Sequence, residues 1–244
     1  MDLLKELSKY PVFNMEMIER LTGNLKTAYS AINRYMKKGY VVKVRKNIYS
    51  PVDLSTGLII ANRYQIACAL RNDAYLSHHS ALEYHGLSNQ VFNEVYVSSK
   101  SRFNHFAFEG IHYKYVAPKI NVGVITAKNT HNVRLTNIER TLVDSIYQIN
   151  KITGYEELGN AFEAVQYLNE DKLLEYLNAY DIQSLYQKSG YILEKYKDKF
   201  GLTDKFFDTC KSEMKQGVVY LVDGSDRDSK YNKNWQVMVP INFY

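Results

Sequence analysis

Between Phe13 and Ser50 the sequence allows few folds, because it predicts two short helices joined at a glycine and followed by a basic hairpin. Asn14 can cap the first helix, whose apolar residues recur at helical spacing as far as Gly23, a residue that permits a sharp turn. Asn24 offers a second cap, and the second helix should end near Gly39. The predicted buried stripe of this second helix comprises Leu25, Ala28, Ile32, Tyr35 and Met36.

The outward face of the second helix is polar and basic. Counted at about 100° per residue, it comprises Lys26, Thr27, Ser30, Arg34, Lys37 and Lys38. Small hydrogen-bonding side chains come early and cations come late, as in a recognition helix that sets its N-terminal part on base edges and its flanks on phosphates. The hairpin over residues 40 to 50 carries Arg45, Lys46 and Asn47 at its turn, where a wing would contact phosphates. These elements predict a winged helix-turn-helix that binds DNA, although such charges also occur on helices that are merely solvated.

The basic charge of the chain lies in this N-terminal part. The 244 residues carry a net charge of +5. Residues 1 to 52 contain ten Lys and Arg against four Asp and Glu, whereas the rest contains 21 against 22. A first helix between Asp2 and Pro11 should complete a three-helix core. We therefore predict a DNA-binding domain over residues 1–52 and a nearly neutral body over residues 57–244.

Two features indicate the compartment. Cys68 and Cys210 lie far apart in apolar helical patterns, so we expect reduced core thiols. The chain shows no signal-peptide pattern and no apolar run near the roughly 18 residues of a membrane span. We expect a cytoplasmic protein that needs no cofactor.

The body is predicted to be α+β. An amphipathic helix over about Leu58 to Leu70 and a short helix with a capping box at Ser80 and Glu83 come first. A small, mostly antiparallel sheet follows over about 91–135, with strands at 91–99, 103–108, 111–116, 122–127 and 132–135. A helical region covers about 137–215, with helices near 137–146, 155–167, 171–179, 184–199 and 203–215. A C-terminal hairpin over 217–244 pairs strands 217–222 and 235–239 around a polar loop.

Three groups of residues suggest chemistry, and in each a structural role explains the pattern better. The histidines at 78, 79 and 85 lack the i,i+4 spacing of a helical zinc site. The polar loop holds acidic residues at 223, 226 and 228, but its glycine and its last position do not fit a calcium loop. Thr136 and Glu139 suit a capping box, and Arg140 with Asp144 suits an i,i+4 ion pair. We identify no catalytic or metal-binding residue.

Three segments in this order resemble the AbiEi-type antitoxins, which regulate transcription in bacterial type IV toxin-antitoxin systems. They are a winged helix that ends in the segment Val44–Tyr49, the segment Ser80–Leu87, and the segment Ile138–Asp144. The resemblance spans about residues 1–200. The family usually has glycine at the wing turn, where this chain has Asn47.

The resemblance implies a protein that binds inverted repeats in its own promoter and represses an operon that also encodes a nucleotidyltransferase-like toxin. The antitoxin of such a system opposes the toxin without forming a stable complex with it, and these systems are linked to abortive infection by phage. DNA contact carries over to Lys26, Thr27, Ser30, Arg34, Arg45 and Lys46. One DNA-binding head, meaning the predicted winged helix-turn-helix of residues 1–52, covers one half-site of an inverted repeat. We therefore expect a dimer or a cooperative pair on DNA.

Two other functions fit a basic head. The first is a nucleic-acid-processing enzyme, in which Glu139, Asp144 and one of the two adjacent histidines would be the acids and bases. It would need carboxylates that converge on a metal or on each other, and the sequence offers neither spacing nor motif for this. The second is a protein-interaction module that binds an acidic partner. A fold alone cannot separate these functions.

Overall fold

The computed structural model describes residues 3–149, 154–222, 228–241 and 243, and its fold class is α+β. The chain forms two compact units. The first consists of Met1–Leu76, Asn93–Ala117 and Thr126–Leu135. The second consists of Ser77–Phe92, Pro118–Ile125 and Thr136–Tyr244. The boundary predicted between residues 52 and 57 thus falls inside the first unit.

The first unit begins with three helices and a hairpin. These are α1 Leu3–Leu7, α2 Met15–Thr22, α3 Leu25–Lys37, β1 Val41–Arg45 and β2 Ile48–Pro51. The predicted caps are confirmed: Asn14 Oδ1 accepts from Met17 N at 2.9 Å, and Asn24 Oδ1 accepts from Lys26 N at 2.8 Å. Gly23 has φ 72°, a left-handed conformation that lets α3 leave α2 sharply.

The buried stripe of α3 packs into an apolar core with α1, α2 and the hairpin. Ala28, Ile32 and Tyr35 are buried, as predicted. Leu25 is 45% exposed, so its predicted burial was wrong; it opens the helix and stands beyond the edge of the core. The core residues are Leu7, Phe13, Met15, Ile18, Ala28, Ala31, Ile32, Tyr35, Val41 and Tyr49. This composition confirms that α1 completes a core with the two later helices.

The helix predicted over residues 58–70 is shorter. It is α4, Arg63–Ala69, which Asn62 and Gln65 open with a capping box. Ile59 instead forms an antiparallel bridge with Val52, so the first part of the predicted helix is not helical.

The sheet predicted over residues 91–135 is mixed and not mostly antiparallel. Its strands are β3 Tyr75–Leu76, β4 Glu94–Ser98, β5 Phe106–Phe108, β6 Ile111–Val116, β7 Val124–Thr126 and β8 Arg134–Thr136, in the order β5-β6-β4-β3-β8-β7. The predicted turn at Glu109 and Gly110 joins β5 to β6 in an antiparallel hairpin. Because β5 takes the edge of the sheet, β6 pairs with β4, and this pairing is parallel. The antiparallel prediction failed since neighbours along the chain are not all neighbours in the sheet.

Helices dominate the second unit. They are α5 His78–Tyr84, α6 Ile138–Tyr147, α7 Tyr155–Ala164, α8 Glu170–Tyr180, α9 Gln183–Glu194, α10 Lys197–Phe200 and α11 Asp204–Ser212. The helix predicted over 184–199 is therefore split between α9 and α10. Gly190 of α9 lies against the Trp235 ring so closely that a Cβ there would stand 2.1 Å from Cζ3 of the ring. The position accepts no side chain while the tryptophan stays buried.

Both predicted capping boxes were wrong. The N-cap of α5 is Ser77, three residues before the predicted Ser80. The N-cap of α6 is Asn137, whose Oδ1 accepts from Arg140 N at 2.9 Å, while Thr136 Oγ1 lies 2.7 Å from Thr141 Oγ1. Asparagine one position later caps the free amides at the start of the helix in place of threonine.

The C-terminal strands form a three-stranded sheet in place of the predicted hairpin. They are β9 Val219–Tyr220, β10 Ser229–Asn232 and β11 Val237–Pro240, in the order β10-β11-β9. β11 is antiparallel to β10 and parallel to β9, so the two predicted strands run in the same direction. Asp223 and Asp226 of the rejected calcium loop lie outside the described residues.

Both cysteines are buried and carry free thiols, as predicted. Burial raises the pKa of Cys68 to about 11 and that of Cys210 to about 12. Across the ranges described above, none of the helices combines the length and apolar character needed to cross a membrane.

Candidate nucleic-acid interface

The outward side of α3 presents the residues that the sequence predicts. We call this surface the α3 face; its exposed members are Lys26, Thr27, Ser30, Arg34, Lys37 and Lys38. The helix has no acidic residue, and its N-cap bonds to Lys26 N and Thr27 N hold the first turn. The face is therefore cationic along its length, with hydroxyl groups near its start.

Sequence reasoning missed two residues of the α3 face. Asn33 is exposed, three residues after Ser30 and four before Lys37, so it lies in the middle of the face. Tyr29 is 50% exposed at its side. Helical spacing alone was enough to find Asn33, whose amide has the donor and acceptor pair that reads adenine in a major groove.

The cations of the α3 face are not neutralised by the protein. In the portion of the chain that the structure describes, Lys26, Arg34 and Lys37 form no ion pair. The Arg34 guanidinium lies 5.3 Å from the centre of the Tyr35 ring, which supports its carbon stem without removing its charge. These side chains remain available to an anionic partner.

Two of the three predicted contact residues of the β1–β2 turn, Asn47 and Arg45, make contacts within the protein. Asn47 has φ 64°, the left-handed conformation expected of it. Its Oδ1 accepts from Met15 N at 2.9 Å, which ties the turn to the start of α2. Lys46 is exposed beside it.

Arg45 is half-buried against aromatic rings. Its guanidinium carbon lies 4.7 Å from the centre of the Phe106 ring and 5.8 Å from that of Phe103. Burial, and then the neighbouring charge of Arg71, lowers the pKa of Arg45. A phosphate contact by Arg45 would therefore involve a guanidinium group that is fixed by stacking. Lys46, in contrast, is an exposed cation on a flexible side chain.

In the second unit, Glu139, Arg140 and Asp144 serve buried hydrogen bonds. Arg140 Nε donates to Asp144 Oδ1 at 2.5 Å, which confirms the predicted i,i+4 pair, and Tyr180 Oη donates to the same oxygen at 2.5 Å. Arg140 also donates to the backbone carbonyl oxygens of residues 120 and 122. Glu139 Oε1 accepts from Asn169 N at 3.1 Å. These bonds give the three side chains structural roles within the second unit.

The three histidines do not converge. His78 Nδ1 lies 3.0 Å from Ser77 Oγ, His79 Nε2 lies 3.1 Å from Ser88 Oγ, and His85 Nε2 donates to Thr136 O at 2.8 Å. Burial lowers the pKa of both His78 and His85. The described residues contain no group of three or more His, Cys, Asp and Glu side chains placed to hold a metal ion.

Comparison with known proteins shows a similarity of fold. No protein-family model matches the chain, and no curated protein matches it. The structure is similar to the crystal structure of the RV2827C protein from Mycobacterium tuberculosis, with a TM-score of 0.65 at 13% sequence identity. The alignment covers 97% of this chain and 89% of that chain. At this identity the similarity concerns the fold alone.

Proposed function

We propose that this protein is a DNA-binding transcriptional repressor whose first three helices and β1–β2 hairpin act as a winged helix-turn-helix. The observation that carries the proposal is the α3 face, an exposed, acid-free surface with three cations on a helix of 13 residues and a fourth, Lys38, at its C-cap. DNA offers about one phosphate charge per 1.7 Å of axis, so such a face gains affinity from counterion release.

The order of groups along α3 suggests how a duplex would be read. Thr27, Ser30 and Asn33 stand where a recognition helix meets base edges, and each good contact discriminates by about 1–3 kcal/mol. Arg34 and Lys37 follow towards the C-terminal end, where they would contact phosphates, and Lys46 would do so from the hairpin turn. Since one head covers one half-site, we propose binding as a dimer or a cooperative pair at inverted repeats.

We further propose that the protein is the antitoxin of a bacterial type IV system. This rests on the resemblance of the segments Val44–Tyr49, Ser80–Leu87 and Ile138–Asp144 to AbiEi-type antitoxins. The partner in function would be a nucleotidyltransferase-like toxin encoded in the same operon, opposed without a stable complex. Chemistry by Glu139 or Asp144, the rival hypothesis, has no support from the buried bonds of these residues.

A reporter assay tests the repressor proposal in cells. The DNA upstream of the gene drives a reporter, and the full chain is supplied from a second plasmid. We expect wild type to lower expression and the Thr27→Ala/Arg34→Ala double variant to lose this effect. Lys205→Ala is the matched control, because Lys205 is an exposed lysine of α11 in the second unit. Equal repression by wild type and the double variant would refute the role of α3.

The antitoxin proposal has its own test. Expression of the downstream gene alone should arrest growth. Co-expression of this protein should restore growth, and the two proteins should not co-purify. Growth arrest that the chain fails to relieve would leave a repressor that is not an antitoxin.

A further inference from the structure

A cleft of about 600 Å³ lies in the first unit beside the β1–β2 turn. Arg45 and Lys46 line it from the hairpin, Glu16 lines it from α2, and Arg71 and Asp73 line it from the segment after α4. We call it the turn cleft. Its volume is within the roughly 300–1,000 Å³ typical of small-molecule sites, so it can hold more than a single ion.

Two arginines that line the turn cleft, Arg45 and Arg71, are each held in place by contacts within the first unit. Arg45 is stacked on Phe106. Arg71 Nη1 donates to Leu70 O at 2.9 Å, and its Nη2 donates to Arg102 O at 3.0 Å. Both guanidinium groups are thus fixed by contacts that leave their positive charges uncompensated.

Three cationic side chains line the turn cleft, against two carboxylates. Arg45 Nη1 is buried and has no hydrogen-bond acceptor among the described residues. Lys46 is exposed at the rim. Of the two carboxylates, Asp73 already accepts from Lys100 N at 2.8 Å, and Glu16 is exposed to solvent at the start of α2. Neither carboxylate forms an ion pair with Arg45 or Arg71 in the part of the chain that is described.

We propose that the turn cleft binds a phosphate group between Arg45, Arg71 and Lys46. A phosphate offers several acceptor oxygens and a negative charge, which would satisfy the unpaired donor and balance the positive charges of the two guanidinium groups. Fixed guanidinium forks favour phosphate over a halide because two oxygens can be bonded at once.

Two sources share this chemistry, namely the backbone of DNA and a free mononucleotide. The DNA source rests on the proposed function, because Lys46 and Asn47 belong to the hairpin that would flank the duplex. The mononucleotide source does not, and there the volume of the cleft would accommodate a sugar and base beyond the phosphate. The phosphate site itself is the same in both.

The test is an NMR titration of the full chain with inorganic phosphate, followed through the side-chain Nε–Hε signals of Arg45 and Arg71 and compared with chloride at equal ionic strength. We expect both signals to shift and saturate in wild type. Lys46→Gln, a change at an exposed side chain, should raise the apparent Kd several-fold. Lys43→Gln is the matched control, because Lys43 is an exposed lysine of the same hairpin outside the cleft lining.

Two further arms identify the source. If a scrambled 12-base-pair duplex shifts the same signals, and Arg71→Gln lowers the salt slope of its binding by about 1, the phosphate belongs to the DNA backbone. If AMP saturates the signals and the duplex leaves them unchanged, the ligand is a free nucleotide. Absence of a saturable shift with phosphate, duplex and AMP alike would overturn the inference. If wild type binds phosphate in the cleft but binds upstream and scrambled DNA equally well, only the proposed function is refuted.

Discussion

Replacing Arg34 by glutamine should weaken the salt dependence of DNA binding by a fixed step. Arg34 is exposed on the α3 face and forms no ion pair among the described residues. Glutamine keeps a polar, hydrogen-bonding side chain but removes the charge. Each lost phosphate contact removes one released counterion from the binding equilibrium.

The magnitude follows from the number of accessible cations. Lys26, Arg34, Lys37 and Lys46 are exposed. Contact of these four with phosphates predicts a slope of log K against log salt of about −3.6, equivalent to about a 150-fold loss of affinity between 50 and 200 mM salt. The Arg34→Gln variant would keep three contacts, so its slope becomes about −2.7 and its loss of affinity over the same salt range falls to about 40-fold.

Fluorescence anisotropy with a labelled duplex from upstream of the gene measures these slopes at several salt concentrations. Lys205→Gln, which removes an exposed charge from the second unit, should leave the slope unchanged. A wild-type slope near zero, or an Arg34→Gln slope equal to that of wild type, would refute contact between the α3 face and phosphates.

Three further predictions concern stability, measured by urea unfolding with the slope of the transition checked for each variant. Gly190→Ala should cost about 3 kcal/mol, because its methyl group would overlap the Trp235 ring, and a loss below about 0.5 kcal/mol would show that the ring can move away. Asp144→Ala should cost about 3–5 kcal/mol, because it leaves the buried charge of Arg140 without its carboxylate; a loss under about 1 kcal/mol would contradict this. Asn47→Gly should cost about 1 kcal/mol through the lost bond to the start of α2, and Asn47→Ala about 1 kcal/mol more through the left-handed φ, so equal losses would contradict the strain argument.

Local signals predicted α2 and α3 well. Asn14 and Asn24 satisfy amides within three residues of themselves, and Gly23 needs only its own conformational freedom. The exposure of Thr27 and Ser30 follows from helical spacing once the helix is placed. These features depend on short stretches of chain, so one sequence is enough to find them.

Features that depend on distant partners were missed. The parallel pairing of β4 with β6 is decided by which strand takes the edge of the sheet, and strand composition does not report this. The stacking of Arg45 on Phe106 joins residues about sixty positions apart, so the sequence predicted a phosphate contact at the turn but not the aromatic rings beneath it. Glu139 likewise accepts from Asn169 N rather than closing a local capping box.

The central claim is that the α3 face reads a DNA sequence, and a mobility-shift titration on the DNA upstream of this gene tests it most directly. The account predicts that wild type binds this DNA about a thousandfold or more tighter than scrambled DNA of equal length, and that Thr27→Ala/Arg34→Ala loses the preference. Equal affinity of wild type for both DNAs would contradict the claim, and the basic head would then be a nonspecific tether or a surface for an acidic partner.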